Sequence, residues 1–294
     1  MGAEVTAAPG SGIELRHLRA FAAVARHRSF TRAAEQLLTA QPALSRTVAQ
    51  LETALGVRLL ERSTRRVELT ATGSVFLSHA ERTLAAFDQA VAAARGESEL
   101  RLGFSWLLPD PWAQHTIARF EQDTGARVTL VRSDNPLDGL DRLSVDVALL
   151  RGTQPVPQPL CTMHLYDEAR TAVCARGSEP TTGDRLNWND APQWTLVVNT
   201  TSGTTGPWSW PTGHGPRHIV ETTNFDEWLE SVAAGRGIGI VPSTAEHRIR
   251  HPALRFLPLD AAPPVPLRLA YHPHTHPTLL RHFLDAARTA ATNI

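Results

Sequence analysis

Pro42, Ser45, Arg46, Ala49, Gln50 and Thr53 fall on one side of a helical wheel, and Gln41 opens the same run. Hydroxyl, amide and guanidinium groups at this spacing supply the donors and acceptors that recognise base edges in a major groove. The exposed face of an ordinary helical bundle would have a similar composition, so the neighbouring elements must decide between the two readings. On the opposite side Leu44, Val48, Leu51 and Leu55 recur at helical intervals, which predicts a buried stripe on a helix that Gly56 ends in a left-handed conformation. Pro42 suits its first turn, where a missing N–H would have no intrahelical partner.

Two shorter segments lead into this helix. Leu18, Phe21, Val24 and Ala25 mark a first amphipathic helix over 15–26, with Arg16, Arg19 and Arg26 off its apolar stripe. Ser29 or Thr31 can cap a second helix through Leu37, in which Ala33 and Ala34 permit a close crossing. A tight turn through Leu38-Thr39-Ala40 then gives a helix-turn-helix. Residues 57–62 and 67–69 are β-compatible and flank the basic tip Ser63-Thr64-Arg65-Arg66, a wing that could reach phosphates or a minor groove. Thr31, Arg32, Gln41, Pro42, Ser45, Arg46, Gln50, Arg65 and Arg66 form the candidate DNA-binding set. From Thr70 to about Arg95, Phe76, Ala80, Leu84, Phe87 and Val91 mark a long helix of about 37 Å. Its narrow stripe, with no evident partner in its own chain, predicts helix-to-helix dimerisation.

These spaced positions carry a resemblance. Leu18-x-x-Phe21-x-x-Val24-Ala25, Ser29-Phe30-Thr31-x-Ala33-Ala34-x-x-Leu37, Gln41-Pro42-Ala43-Leu44-Ser45-Arg46, Leu51-Glu52-x-x-Leu55-Gly56, Leu59-Leu60-x-Arg62 and Leu69-Thr70-x-Thr72-Gly73 resemble the LysR-type transcriptional regulators. Ala40 and Leu60 depart from that pattern, which generally has Ser or Thr before Gln-Pro and often Phe at residue 60. The resemblance implies that Gln41, Pro42, Ser45, Arg46 and Gln50 face the major groove and Arg65 the minor groove of double-stranded DNA, at an interrupted palindromic operator. It also implies homodimers and homotetramers, contact with RNA polymerase, and a small-molecule effector; no cofactor is expected.

Composition fits this reading. Residues 13–95 carry 12 Arg against 7 acidic residues, whereas 96–294 carry 17 against 21, so a basic head sits on a mildly acidic body. Every Lys or Arg position is Arg, a bias we attribute to genomic base composition. No apolar run approaches the roughly 20 residues a membrane span needs. The two cysteines are too few for a disulfide framework, and Met1–Gly12 reads as a disordered tail without a secretory pattern, so the cytoplasm, at the nucleoid, is the expected location.

Beyond a hinge at Arg95–Ser98, strands near 100–104, 128–131, 145–150, 170–175, 194–198, 218–222 and 237–242 alternate with helices near 111–122, 137–143, 224–234 and 278–291. Alternation of this kind predicts α/β lobes with largely parallel sheets. The expected fold is thus α/β: an N-terminal winged helix-turn-helix and, by resemblance, a two-lobed periplasmic-binding-protein-like (type 2) effector domain. The expected divisions are a tail over 1–12, the DNA-binding domain over 13–70, a dimerisation helix over 71–97 and the effector domain over 98–294. Lobe I would take about 98–160 and 266–294 and lobe II about 161–265, with crossings near 160–165 and 257–267. Ligands of such sheets sit beyond strand C-termini, which nominates Ser105, Trp106, Arg151, Thr200, Thr201, Thr223, Asn224 and Ile240 as effector-binding residues. Each hydroxyl among them would equally serve as a helix cap or turn.

Other signals point elsewhere more weakly. Gly235-Arg236-Gly237-Ile238-Gly239 mimics a nucleotide loop in the reverse of the required strand-then-helix order. His272-Pro273-His274-Thr275-His276 lacks a partner at metal-ligand spacing, so no metal is expected. Cys174 reads as a buried inert thiol, with redox sensing at Cys161 or Cys174 the rival reading, and the tryptophans at 188, 194, 208, 210 and 228 read mainly as packing. An enzyme built on the α/β body would need a nucleophile elbow, phosphate loop or metal cluster, and the sequence has none. A transported-solute receptor would fit the second domain but not the basic head.

Overall fold

The computed structural model describes residues 12–62, 67–94, 98–178, 180, 184–273 and 277–292. Contacts divide the chain into two compact units, one ending at Glu97 and including Asp141–Ser144, the other formed by Ser98–Leu140 and Val145–Ile294.

The first unit opens with α1 (Leu15–His27), which buries Leu18, Phe21 and Val24 and ends at Arg28 in the left-handed region (φ 48°). Ser29 caps α2 (Phe30–Gln36), its hydroxyl accepting from the Arg32 N–H at 3.4 Å. Helix α3 (Gln41–Leu55) buries Leu44, Val48 and Leu51 and closes on Gly56 at φ 69°. Strands β1 (Leu60–Arg62) and β2 (Val67–Leu69) pair antiparallel as the wing, with Leu60 opposite Leu69.

Helix α4 (Ala71–Ala94) begins where the Thr70 hydroxyl accepts from the Gly73 N–H at 2.8 Å and donates to the Arg58 carbonyl at 2.9 Å. Its stripe finds a partner in its own chain, a correction to the expectation of none. Phe76, Leu77, Ala80 and Leu84 pack against the helix-turn-helix core, and the Phe76 ring lies 5.5 Å from that of Phe21. The period of a stripe identifies a buried face but not which chain covers it. Phe87 differs, being 41% exposed beneath the Arg19 guanidinium, which also pairs with Asp88 at 3.1 Å.

The second unit builds a five-stranded sheet from β3 (Glu99–Phe104), β4 (Arg127–Arg132), β5 (Val147–Arg151), β6 (Cys161–Glu168) and a returning strand, Val265–Tyr271. Helices α5 (Trp112–Thr124) and α6 (Pro136–Asp141) connect the first three strands. The chain then enters a second layer through β7 (Arg170–Ala175), β8 (Leu186–Asn187), β9 (Leu196–Asn199), β10 (Ile219–Thr222), α7 (Phe225–Ala233), β11 (Gly239–Pro242), α8 (Thr244–Arg248) and β12 (Leu254–Asp260). It returns through β13 (Val265–Tyr271) and ends in α9 (Pro277–Ala291).

The first sheet runs β4-β3-β5-β13-β6 and the second β11-β7-β12-β8, with the parallel pair β9 and β10 attached through Leu196 and Ile238. Leu100, Leu102, Trp112, Phe120, Leu267 and Phe283 form the main core of the first lobe, and the Trp112 indole donates to the Ala287 carbonyl at 3.0 Å. In the second lobe the stacked pair Trp188 and Trp210, 4.2 Å apart, belongs to one core and Trp228 to another.

The expected lobe boundary at 160 is corrected. Strand β6 pairs antiparallel with β13, Val265 opposite Glu168 and Tyr271 opposite Cys161, so it belongs to the first lobe. The crossings lie at Ala169 and at 261–264. A strand whose side chains alternate in burial looks the same in either sheet until its hydrogen-bonded neighbour is known.

Gly73 fixes the approach of α4 to the wing, because a Cβ there would lie 2.0 Å from the Leu59 carbonyl oxygen. We predict that Gly73→Ala destabilises the first unit by about 1–3 kcal/mol, the usual cost of overpacking. Urea unfolding followed by circular dichroism, which follows these helices, checks it; unchanged stability would refute the crossing constraint.

Candidate functional site

On α3, Gln41, Pro42, Arg46, Ala49, Gln50 and Thr53 are exposed and Ser45 is half-buried, while Leu44, Val48 and Leu51 hold the inner face. Thr31 and Arg32 are exposed in the first turn of α2. The structure therefore gathers seven of the nine nominated residues on the surface formed by α2 and α3. Arg65 and Arg66 lie outside the described residues. Ala40 is the N-cap of α3, extended at φ −77° and ψ 136°, and has no side-chain acceptor for the helix amides.

Sequence reading did not single out Glu52 as a positioning residue. Its Oε1 accepts from the backbone amides of Leu59 and Leu60 at 2.8 and 3.0 Å, tying the first wing strand to the last turns of α3. The available signal was an acid placed just before the Gly56 stop and a β-compatible run. A carboxylate there can satisfy amides that the short strand leaves open.

Between the lobes, Trp106 and Arg151, both nominated as effector-binding residues, lie side by side and are buried. The Arg151 guanidinium lies 4.5 Å from the Trp106 ring centroid, and Trp106 stacks on Phe225 of α7 at 5.2 Å with the planes 6° apart. Arg151 Nε donates to Glu168 Oε2 at 2.6 Å and Nη1 donates to the Leu107 carbonyl at 2.8 Å. From the second lobe, the Thr244 hydroxyl donates to Glu168 Oε1 at 2.5 Å. The Arg151 and Glu168 side chains are 5% and 2% exposed. Burial and the neighbouring Glu168 charge push the Tyr166 phenol well above its ordinary range.

The remaining nominated residues have structural work. Thr200 donates to the Thr222 carbonyl at 3.1 Å, and the Thr223 backbone amide and hydroxyl each donate to Glu227 at 2.9 Å, which holds the Glu227 carboxyl below its usual range. Asn224 caps α7 by accepting from the Glu227 N–H at 2.9 Å. Thr201 is exposed, and its amide donates to Asn199 at 3.0 Å. Ser105 is half-buried, with its carbonyl accepting from Arg132 Nε at 3.5 Å. Ile240 is corrected: it is 4% exposed and packs with Leu196 and Leu257 in a core, because every residue of β11 is buried.

Arg170, which the sequence did not nominate, sits beside the crossing. It donates to the Pro263 and Thr204 carbonyls and to the Thr205 hydroxyl, and lies over the Trp188 ring at 5.4 Å. Burial pulls its guanidinium down to about 10. Cys174 is buried in β7 and Cys161 is half-buried in β6. The glycine run 235–239 follows α7 and enters β11, while His274 and His276 lie outside the described residues. Among the described residues, no group of His, Cys, Asp or Glu is arranged to hold a metal, and no helix is long and apolar enough to cross a membrane.

Comparison with known proteins matches residues 15–74 to the bacterial regulatory helix-turn-helix protein, lysR family, and residues 93–292 to the LysR substrate binding domain. The transcriptional regulator BenM of Acinetobacter baylyi is 30% identical over 281 residues, covering 86% of this chain and 88% of its own. PcaQ of Agrobacterium fabrum is 33% identical over 206 residues, covering 66% of each chain. Full-length CbnR in complex with its target DNA superposes with a TM-score of 0.70 at 25% identity, covering 95% of this chain and all of CbnR.

Two outcomes follow from this geometry. Ala40→Ser supplies the missing cap and should stabilise the first unit by about 1 kcal/mol in urea unfolding; no gain would mean that the α3 amides are already satisfied. Glu168→Leu strands a buried guanidinium and should cost about 3–5 kcal/mol, most of which the double variant Arg151→Met/Glu168→Leu recovers. All seven tryptophans lie at or beyond residue 106, so fluorescence-detected unfolding reports on this unit. Equal losses in the single and double variants would show that the pair is not the source of the cost.

Proposed function

The chain belongs to the lysR family of bacterial helix-turn-helix transcriptional regulators, and from that premise we propose how its own residues serve regulation. Helix α3 enters the major groove of duplex DNA with Gln41, Pro42, Ser45, Arg46 and Gln50 facing the bases, while Thr31 and Arg32 meet the phosphate backbone. The wing arginines Arg65 and Arg66 reach the flanking backbone or minor groove. The observation that carries this reading is the polar, exposed face of α3, held in register with the wing by Glu52.

Two copies join through the part of α4 not covered by its own core, around Phe87 and Val91, and present their α3 helices to the halves of an interrupted palindrome; a tetramer pairs such dimers. In the second unit a small-molecule effector binds between the lobes and shifts the equilibrium governed by the cluster of Trp106, Arg151, Glu168, Thr244 and Phe225. Ser105, Thr201 and Thr223, which are half-buried or exposed, contribute polar groups to that effector. CbnR, crystallised on its target DNA, supports the groove assignment by its similarity. The regulator works in the cytoplasm, on the nucleoid, and acts with RNA polymerase.

Footprinting on the DNA upstream of its own gene and its neighbours tests the proposal. Intact protein should protect a two-fold symmetric site, and Arg46→Ala should weaken binding by about 1–3 kcal/mol, the worth of one good base contact. Wild-type affinity in Arg46→Ala would remove that residue from the groove. A folded dimer that protects no DNA even at low salt would overturn the reading.

A further inference from the structure

Strand β7 carries the chain from the lobe crossing at Arg170 to Ala175, roughly 17 Å away along the strand. At that far end of the second lobe lies an open pocket of about 420 Å³, whose lining includes Arg176, Arg250, Arg255, His251, Glu246 and Ile249. The volume is in the range of small-molecule sites. Three guanidiniums line this space; Arg255 is ion-paired with Asp184 at 2.6 Å, which leaves Arg176 and Arg250 facing the one lining carboxylate, Glu246.

The positions of these cations are fixed by the fold. Arg176 follows the last residue of β7, and its Nε donates to the Pro252 carbonyl at 3.1 Å, which orients the fork. Arg255 lies on β12 opposite Cys174 and is steadied by Asp184 at 2.6 Å. His251 Nδ1 accepts from the Ala253 N–H at 3.2 Å, and its Nε2 lies 4.0 Å from Glu230. Arg250 is exposed and lies two residues beyond the end of α8. Guanidinium forks match the oxygens of phosphate and carboxylate groups, so Arg176 and Arg250 suit an oxyanion.

We propose that this pocket is a second ligand site, distinct from the space between the lobes, for a small molecule carrying an oxyanion group. Ile249, Leu254 and Phe256 complete the lining. The pocket and the interlobe cluster share one element. Thr244, the first residue of α8, donates to Glu168, and Glu246 on the same helix lines the pocket. Occupancy thus has a short mechanical route to the Arg151–Glu168 pair.

Calorimetric titration of the full-length protein at constant ionic strength, with pyrophosphate in one arm and succinate in the other, tests the site and tells phosphate from carboxylate. Saturable binding of at least one probe is expected, weakened about tenfold by Arg250→Ala and by Arg176→Ala and tightened a few-fold by Glu246→Gln. Arg46→Ala on the DNA-binding face should leave it unchanged. Absence of saturable binding, equal affinity in the wild type and the two arginine variants, or loss in Arg46→Ala in place of those variants would overturn the proposal. None of these outcomes depends on whether an effector binds between the lobes.

Discussion

A guanidinium and a carboxylate that are each more than nine-tenths buried persist only where every exposed edge of both is satisfied, and the second unit is organised around meeting that condition at Arg151 and Glu168. The two residues end neighbouring parts of one sheet, but their remaining needs are met from elsewhere. Leu107 supplies a carbonyl, Trp106 an aromatic face, and Thr244 a hydroxyl from the other lobe. Trp106 in turn is held by Phe225. The relation between the lobes is therefore part of the solvation shell of one ion pair, and any molecule that enters between them must replace contacts of that shell with equivalent ones.

The DNA-binding head was almost wholly legible in the amino-acid sequence, because its information is local. Leu44, Val48 and Leu51 alternate with Arg46 and Gln50 at the helical period, and Gly56 and Ser29 stop and start helices by their own backbone and side-chain chemistry. The second unit was legible as a sequence of elements but not as a partition into lobes. Strand β6 joins a strand about a hundred residues later, and nothing within Cys161–Glu168 names that partner.

The candidate cleft divides along the same line. Trp106 and Arg151 were nominated because strand ends in α/β sheets converge, yet their burial depends on Phe225 and Glu168, contributed by distant segments. Thr200, Thr223 and Asn224 carry polar groups that a ligand or a neighbouring backbone could use equally well, and here the backbone and Glu227 use them. Ile240 was misplaced because an interior strand buries both faces, so its period says nothing about which side meets a cleft. Glu52 escaped notice for a related reason: its partners are backbone amides, which leave no trace in residue types.

The packing of Phe76, Ala80 and Leu84 onto α1 makes the first part of α4 and the helix-turn-helix a single rigid piece. Such a piece behaves as a lever whose arm is the helix itself. A 24-residue helix is about 36 Å long, so each degree of tilt about its far end carries the reading head through roughly 0.6 Å. Successive major grooves on one side of DNA are about 34–36 Å apart. In the dimer proposed above, a change of a few degrees in each of two such levers would alter the spacing of the heads by a few ångströms, with no change in the surface that each head presents.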